Sequence, residues 1–165
     1  MNAAIITVST AAARGEREDL SGEALAERAA GAGATIVARE VVTDDRQQIE
    51  QVLRRYSSTD RNTDLILTTG GTGLTPDDVT PEATRAIIDR DAPGIAEAMR
   101  AESLKYTPMG LLSRGVCGIA GRTLIVNFPG SPKSIDQLFG VIEPVLRHAV
   151  ATLRREPGEH VSHGH

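Results

Sequence analysis

The stretch Thr68-Thr69-Gly70-Gly71-Thr72-Gly73-Leu74-Thr75-Pro76-Asp77-Asp78-Val79-Thr80-Pro81-Glu82 decides how the rest of the chain is read. It follows Asp64-Leu65-Ile66-Leu67, an apolar run expected to form a buried strand. It closes on Thr80-Pro81, which pairs a helix N-cap with a first-turn proline. Strand, loop of small side chains and helix start therefore follow one another directly. In open α/β sheets ligands bind beyond the carboxyl ends of the strands, and glycine there lets backbone N–H groups approach an anion closely. The loop reads as a phosphate site, although glycine in such a turn can also serve only to supply positive φ. Neither G-x-x-x-x-G-K-[ST] nor G-x-G-x-x-G occurs, so a P-loop and a dinucleotide fingerprint are both excluded.

Upstream, residues 3–9 (AAIITVS) are rich in branched side chains and form a first predicted strand. Residues 11–19 mix alanine, glycine and charge without a period and read as a mobile loop. Ser21 is placed to cap a helix running to about residue 30, which Gly31 and Gly33 stop. Residues 35–42 are the second strand. Asp44 comes after it, three residues before Gln47, which is the spacing of a capping arrangement for a helix with Ile49, Val52, Leu53 and Tyr56 on one face. The residues alone favour the cap over a functional carboxylate at the strand's end.

Downstream, residues 81–90 and 93–105 read as helices, the second burying Ile95 and Met99 and broken by Thr107-Pro108. Leu111-Leu112-Ser113-Arg114 leads into residues 115–121, an apolar segment punctuated by glycine that suits an edge strand. Residues 122–128 are a clear strand and end in a second turn, Asn127-Phe128-Pro129-Gly130-Ser131-Pro132-Lys133-Ser134. Ser131 and Pro132 there serve as cap and first helical residue. The helix they open carries Ile135, Leu138, Phe139, Ile142, Leu146, Ala149, Val150 and Leu153 at helical spacing, with Pro144 expected to kink it. A well-capped packing helix would account for this turn alone. Two such turns on one parallel sheet, however, must lie on the same edge of it.

Composition narrows the class further. A chain of 165 residues suits one domain with a real core. With 2% aromatics and no Trp, that core must be Ala, Val, Ile and Leu in close-lying layers. The net charge of −4 and the lack of a basic run interleaved with aromatics argue against a nucleic-acid partner. Cys117 is alone, so an intramolecular disulfide and a thiolate metal cluster are excluded; it reads as a small buried hydrophobe in a cytoplasmic protein. No apolar run approaches the roughly 20 residues needed to span a bilayer, and the amino terminus does not look like a secretory signal. Residues 1–154 are expected to form the domain and residues 155–165, with three histidines and no apolar period, a disordered tail.

Read together, TTGGTGLTPDDVTPEAT and NFPGSPKS resemble the molybdopterin-binding domain of molybdenum cofactor biosynthesis, in its short, free-standing MogA/MoaB type. The resemblance extends from the first strand to about Leu153. It implies a three-layer αβα sandwich with a mainly parallel sheet, homotrimeric, that binds molybdopterin and transfers AMP to it from ATP with Mg²⁺. Adenylated molybdopterin would then be handed to the molybdate-insertion enzyme. The resemblance further implies that Asp78 and Asp44 are the two aspartates required for catalysis and metal binding, which reverses the preference for Asp44 as a cap. Gly70, Gly71, Thr72 and Gly73 would form the phosphate-side loop. Ser131, Lys133 and Ser134 would hold the pterin's terminal phosphate or dithiolene region, with Ser113 a further pterin contact. Where the family often has a basic residue before the DVTP aspartate, this chain has Asp77, read as a solvated loop residue.

The residues agree with such chemistry. A phosphate nucleophile is already anionic, so no general base is needed and catalysis reduces to positioning and charge neutralisation. Two carboxylates facing a triphosphate would repel it unless a cation such as Mg²⁺ lay between. Three other readings are a pterin carrier of the same fold without transferase activity, a nucleotide pyrophosphatase as in enzymes with related domains, and a purely structural trimer.

Overall fold

The computed structural model describes residues 1–155; the expected tail, apart from Arg155, lies outside them. Six strands form one sheet in the order β2-β1-β3-β6-β5-β4: β1 Asn2–Val8, β2 Thr35–Val42, β3 Leu65–Thr69, β4 Arg90–Asp91, β5 Cys117–Ala120 and β6 Thr123–Phe128. The first four in that order run parallel; beyond β6, β5 runs antiparallel to them and β4, antiparallel to β5, returns to their direction. Strands covered on both faces read as unbroken apolar runs rather than alternations. β3 is accordingly buried at every position.

The odd-numbered residues of β1 and β3 face one core and the even-numbered ones another. Ile5, Leu65, Leu67, Val126 and Phe128 pack on helices α2 (Leu20–Gly31), α5 (Pro93–Ser103) and α6 (Pro132–Leu153). Ile6, Ile66 and Ile125 pack on α3 (Arg46–Ser57) and α4 (Thr80–Arg85). This is the expected three-layer sandwich. Its one aromatic pair, Phe128 on Phe139, stacks at 6.1 Å between β6 and α6. Of the two tyrosines, Tyr56 packs half-buried against the second core and donates its hydroxyl to Glu40, while Tyr106 is exposed. Among the described residues no helix is long and apolar enough to cross a membrane.

Several sequence expectations need correction. The cap of α2 is Asp19, whose side chain accepts from Gly22 N, and not Ser21. The segment expected as a mobile loop contains α1 (Thr10–Ala13), capped by Ser9. The helix expected over residues 81–90 stops at Arg85, because Arg90 and Asp91 pair with β5. β5 is therefore not the edge; β4 covers it. The segment before β5 is a 3-10 turn, Pro108–Leu112, capped by Thr107. Cys117 is buried as expected, and burial pushes its thiol up to about 12.

Candidate active site

The parallel pairing brings the carboxyl ends of β2, β1, β3 and β6 to one edge. Thr7 aligns with Thr69, and Thr69 with Phe128, so the two turns that follow β3 and β6 are neighbours. Thr69 Oγ1 donates to Pro129 O at 2.8 Å and Gly70 N to Phe128 O at 3.1 Å. A Cβ at Gly130 would lie 3.3 Å from Gly70 Cα. The backbones of the two turns touch, as only side-chain-free residues permit.

Gly70 and Gly71 take φ of +96° and +66°, and a Cβ on Gly70 would meet Val8 O at 2.3 Å. Glycine here thus supplies both positive φ and close approach. Thr80, read from sequence as an N-cap, is instead the first residue of α4; its hydroxyl donates to Gly70 O at 2.9 Å and its N–H to Gly71 O at 3.1 Å. With the loop's carbonyls engaged in this way, the N–H groups of Gly71, Thr72, Gly73 and Leu74 find no acceptor among the described residues. They form a row of donors beside Asp78.

Asp44 and Asp78 are held alike. Asp44 Oδ2 accepts from Thr10 N (2.8 Å) and Thr10 Oγ1 (2.7 Å), and Asp78 Oδ2 accepts from Thr75 N (3.0 Å) and Thr75 Oγ1 (2.7 Å). Among the described residues neither Oδ1 accepts a hydrogen bond. The capping role belongs to Asp45, which accepts from Gln48 N at 2.9 Å, so the sequence preference for Asp44 as a cap is overturned. Asp44 stands at the end of β2, two strand spacings or about 10 Å from the β3 turn. No hydrogen bond among the described residues joins it to that turn.

Three cavities adjoin the paired turns. Thr72, Gly73, Asp78 and Ser113 share one of about 500 Å³. Ser113 and Ser134 share another of about 210 Å³, with Arg100 and Asn127 in its wall. A third, of about 480 Å³, lies on the other side of the turns against Gly70, Gly130, Ser9 and Asp19. Ser131 caps α6 by accepting from Ser134 N at 3.4 Å, which leaves it and Lys133 exposed at the rim. Asp77 is exposed, in keeping with a solvated loop residue.

Sequence reasoning missed two residues that hold the turns. Buried Asn127 accepts from Val116 N at 3.1 Å and donates to Thr68 Oγ1 and Thr84 Oγ1, both at 3.0 Å, so it ties β6 to β3, α4 and the entry to β5. Arg114 reaches Gly73 O, Asp78 O and the Glu82 carboxylate. Its guanidinium holds that carboxyl below the usual range. The only sequence signal was a hydrophilic residue in an otherwise apolar segment.

The sandwich thus carries two abutting glycine turns and two tethered aspartates on one sheet edge. The chain belongs to the family described as probable molybdopterin binding domain, which it matches over residues 4–148. It is 38% identical over 148 residues to the molybdopterin adenylyltransferase of Helicobacter pylori J99, covering 88% of this chain and 84% of that one. It is 41% identical to the Drosophila melanogaster molybdenum cofactor synthesis protein cinnamon, but spans only 24% of that protein. Among solved structures, the molybdopterin biosynthesis enzyme MoaB of Thermus thermophilus superposes with a TM-score of 0.87 at 47% identity, over 96% of this chain and 99% of that one.

Proposed function

We propose that the protein adenylates molybdopterin: the pterin's terminal phosphate oxygen attacks the α-phosphorus of ATP, the bond from that phosphorus to the β-phosphate bridging oxygen breaks, and pyrophosphate leaves. The observation that carries this reading is the row of four unclaimed amides, Gly71 to Leu74, beside Asp78 and against the second turn. Backbone donors fixed in place can bind phosphate without reorganising during reaction. The 38% identity to an adenylyltransferase across most of both chains supports the choice of reaction.

The donor set suits Mg²⁺. Among the described residues no three His, Cys, Asp or Glu side chains gather into a metal cage. Magnesium characteristically takes one or two carboxylates and completes its shell with phosphates and water. Asp78 Oδ1, beside the unclaimed amides, would hold such an ion there, and Asp44 Oδ1, about 10 Å away across β1, would hold one at the other end of the site. When bound, the ion would neutralise charge on the triphosphate. Lys133 and the Ser131 and Ser134 hydroxyls stand at the second turn to receive the pterin's phosphate, and Ser113 to contact the pterin from the adjoining cavity. The assembly would be a homotrimer, as the family resemblance implies, and exposed Leu104, Tyr106, Met109, Leu111 and Leu112 on one segment offer an apolar surface for contact between copies. Residues 1–154 would be the working unit, in the cytoplasm, passing its product to the enzyme that inserts molybdate.

The test is pyrophosphate release and adenylated product from fresh molybdopterin and MgATP, for wild type, Asp44→Asn and Asp78→Asn. Product from wild type, and at least ~10²-fold less from each variant with pterin binding retained, is the expected result. Tight pterin binding without nucleotide turnover by the wild type would leave a carrier protein instead.

A further inference from the structure

Arg114 makes an unusual set of contacts. Its Nε donates to Gly73 O at 2.7 Å, one terminal nitrogen donates to Asp78 O at 2.6 Å, and the other pairs with Glu82 in the first turn of α4. Its own N–H donates to Thr72 O at 2.9 Å. One residue therefore grips the glycine turn at both ends and fastens it to the helix that follows. None of these contacts touches a cavity atom assigned above to substrate.

In a trans peptide the carbonyl and the next N–H point in opposite directions. Turning Gly73 O and Asp78 O toward Arg114 aims Leu74 N–H and Val79 N–H away from it. Leu74 N–H is the last of the four unclaimed donors. The Asp78 carbonyl belongs to the same residue whose carboxylate is tethered to Thr75. We infer that Arg114, braced by Glu82, is the positioning residue of this site: it sets the peptide orientations of segment 73–79 so that loop amides and Asp78 Oδ1 face the same phosphate. Lysine, a point charge without a planar fork, cannot bridge these three acceptors.

For its kinetic consequence this inference rests on the adenylyl-transfer reading, but its structural consequence does not. Arg114→Gln and Arg114→Lys are compared with wild type by amide hydrogen exchange and by pyrophosphate release. In both variants, exchange of the hydrogen-bonded amides Thr75, Asp78 and Thr80 is expected to rise about tenfold while β3 and β6 stay within about twofold, as for a locally loosened segment. Misplacement of reacting groups by about 1 Å costs about 10²-fold, so kcat should fall by roughly that factor with KM for ATP within about threefold. Exchange at Thr75, Asp78 and Thr80 that matches wild type overturns the inference whatever the activity. So does full kcat in Arg114→Lys when the wild type turns over. A wild type that releases no pyrophosphate defeats the adenylyl-transfer reading, and exchange then decides the role of Arg114 alone. Should the Gln variant not fold, the Lys variant carries the same measurements.

Discussion

Asn127→Ala should cost more stability than its polar side chain suggests. The residue is 4% exposed, and Thr68 and Thr84 are fully buried, so water cannot replace what is lost. Three hydrogen bonds disappear, each worth about 1 kcal/mol net, and Val116 N–H is left buried without an acceptor. The sum is about 3 kcal/mol, or roughly 6–12 °C in Tm for a chain of this size. Asn127→Asp is the sharper probe. It keeps an acceptor for Val116 N–H but turns a second oxygen onto two threonine oxygens, and the Thr84 hydroxyl already donates to Thr80 O. Burial without a compensating charge raises such a carboxyl's folded pKa above its unfolded value. The protonated form, able to donate again, is then favoured in the native state. The Asp variant's deficit should therefore be largest at neutral pH and shrink as pH falls toward about 4. Urea unfolding followed by far-UV circular dichroism, at one protein concentration and several pH values, measures both effects. An Ala variant within about 1 kcal/mol of wild type, or an Asp deficit independent of pH, would refute the reasoning.

Two further predictions concern groups away from the turns. Burial alone would push the Asp64 carboxyl up, but bidentate Arg154 and Asn2 N–H hold it below its ordinary 3.8. A depressed folded pKa contributes stability above the ordinary value that is lost as pH falls through the lower one. Asp64→Asn should thus cost about 1–2 kcal/mol near neutrality, after allowing for half-exposed Arg154, and progressively less as pH falls below about 3.8, as urea titrations at neutral pH and at several acid pH values would show. Cys117, with its thiol pushed up to about 12, should resist a disulfide reagent at neutral pH until denaturant unfolds the chain; rapid labelling of the native protein would contradict its burial.

Much of this architecture could be read from local pattern. The parallel strands announce themselves as runs rich in branched side chains, β2 at its observed limits although it is mostly half-exposed, and the others within a residue or two. α6 runs from Pro132 to Leu153 as its cap and apolar spacing require, continuing across Pro144. Errors fell where a side chain's partner is remote. Thr10 lies 34 residues from Asp44, and no local rule could prefer that contact to a cap when Asp45, one position on, satisfies the cap equally well. Arg114 is 36 residues from Asp78 and Asn127 is 59 from Thr68. Both are polar residues whose importance is created by topology. β4 escaped notice because two exposed residues of opposite charge carry no strand pattern; they pair only because β5 offers them an edge.

Two tyrosines, neither fully buried, and no Trp anywhere in the chain make this an optically quiet protein. Its near-ultraviolet absorption comes from two phenols, one tucked against Glu40 and one facing solvent. Pterins absorb to the red of tyrosine and adenine to the blue, so the spectrum of a bound ligand would stand clear of its host. Tyr106, on the apolar segment beside Met109 and Leu111, would report by its own emission when that segment meets another surface.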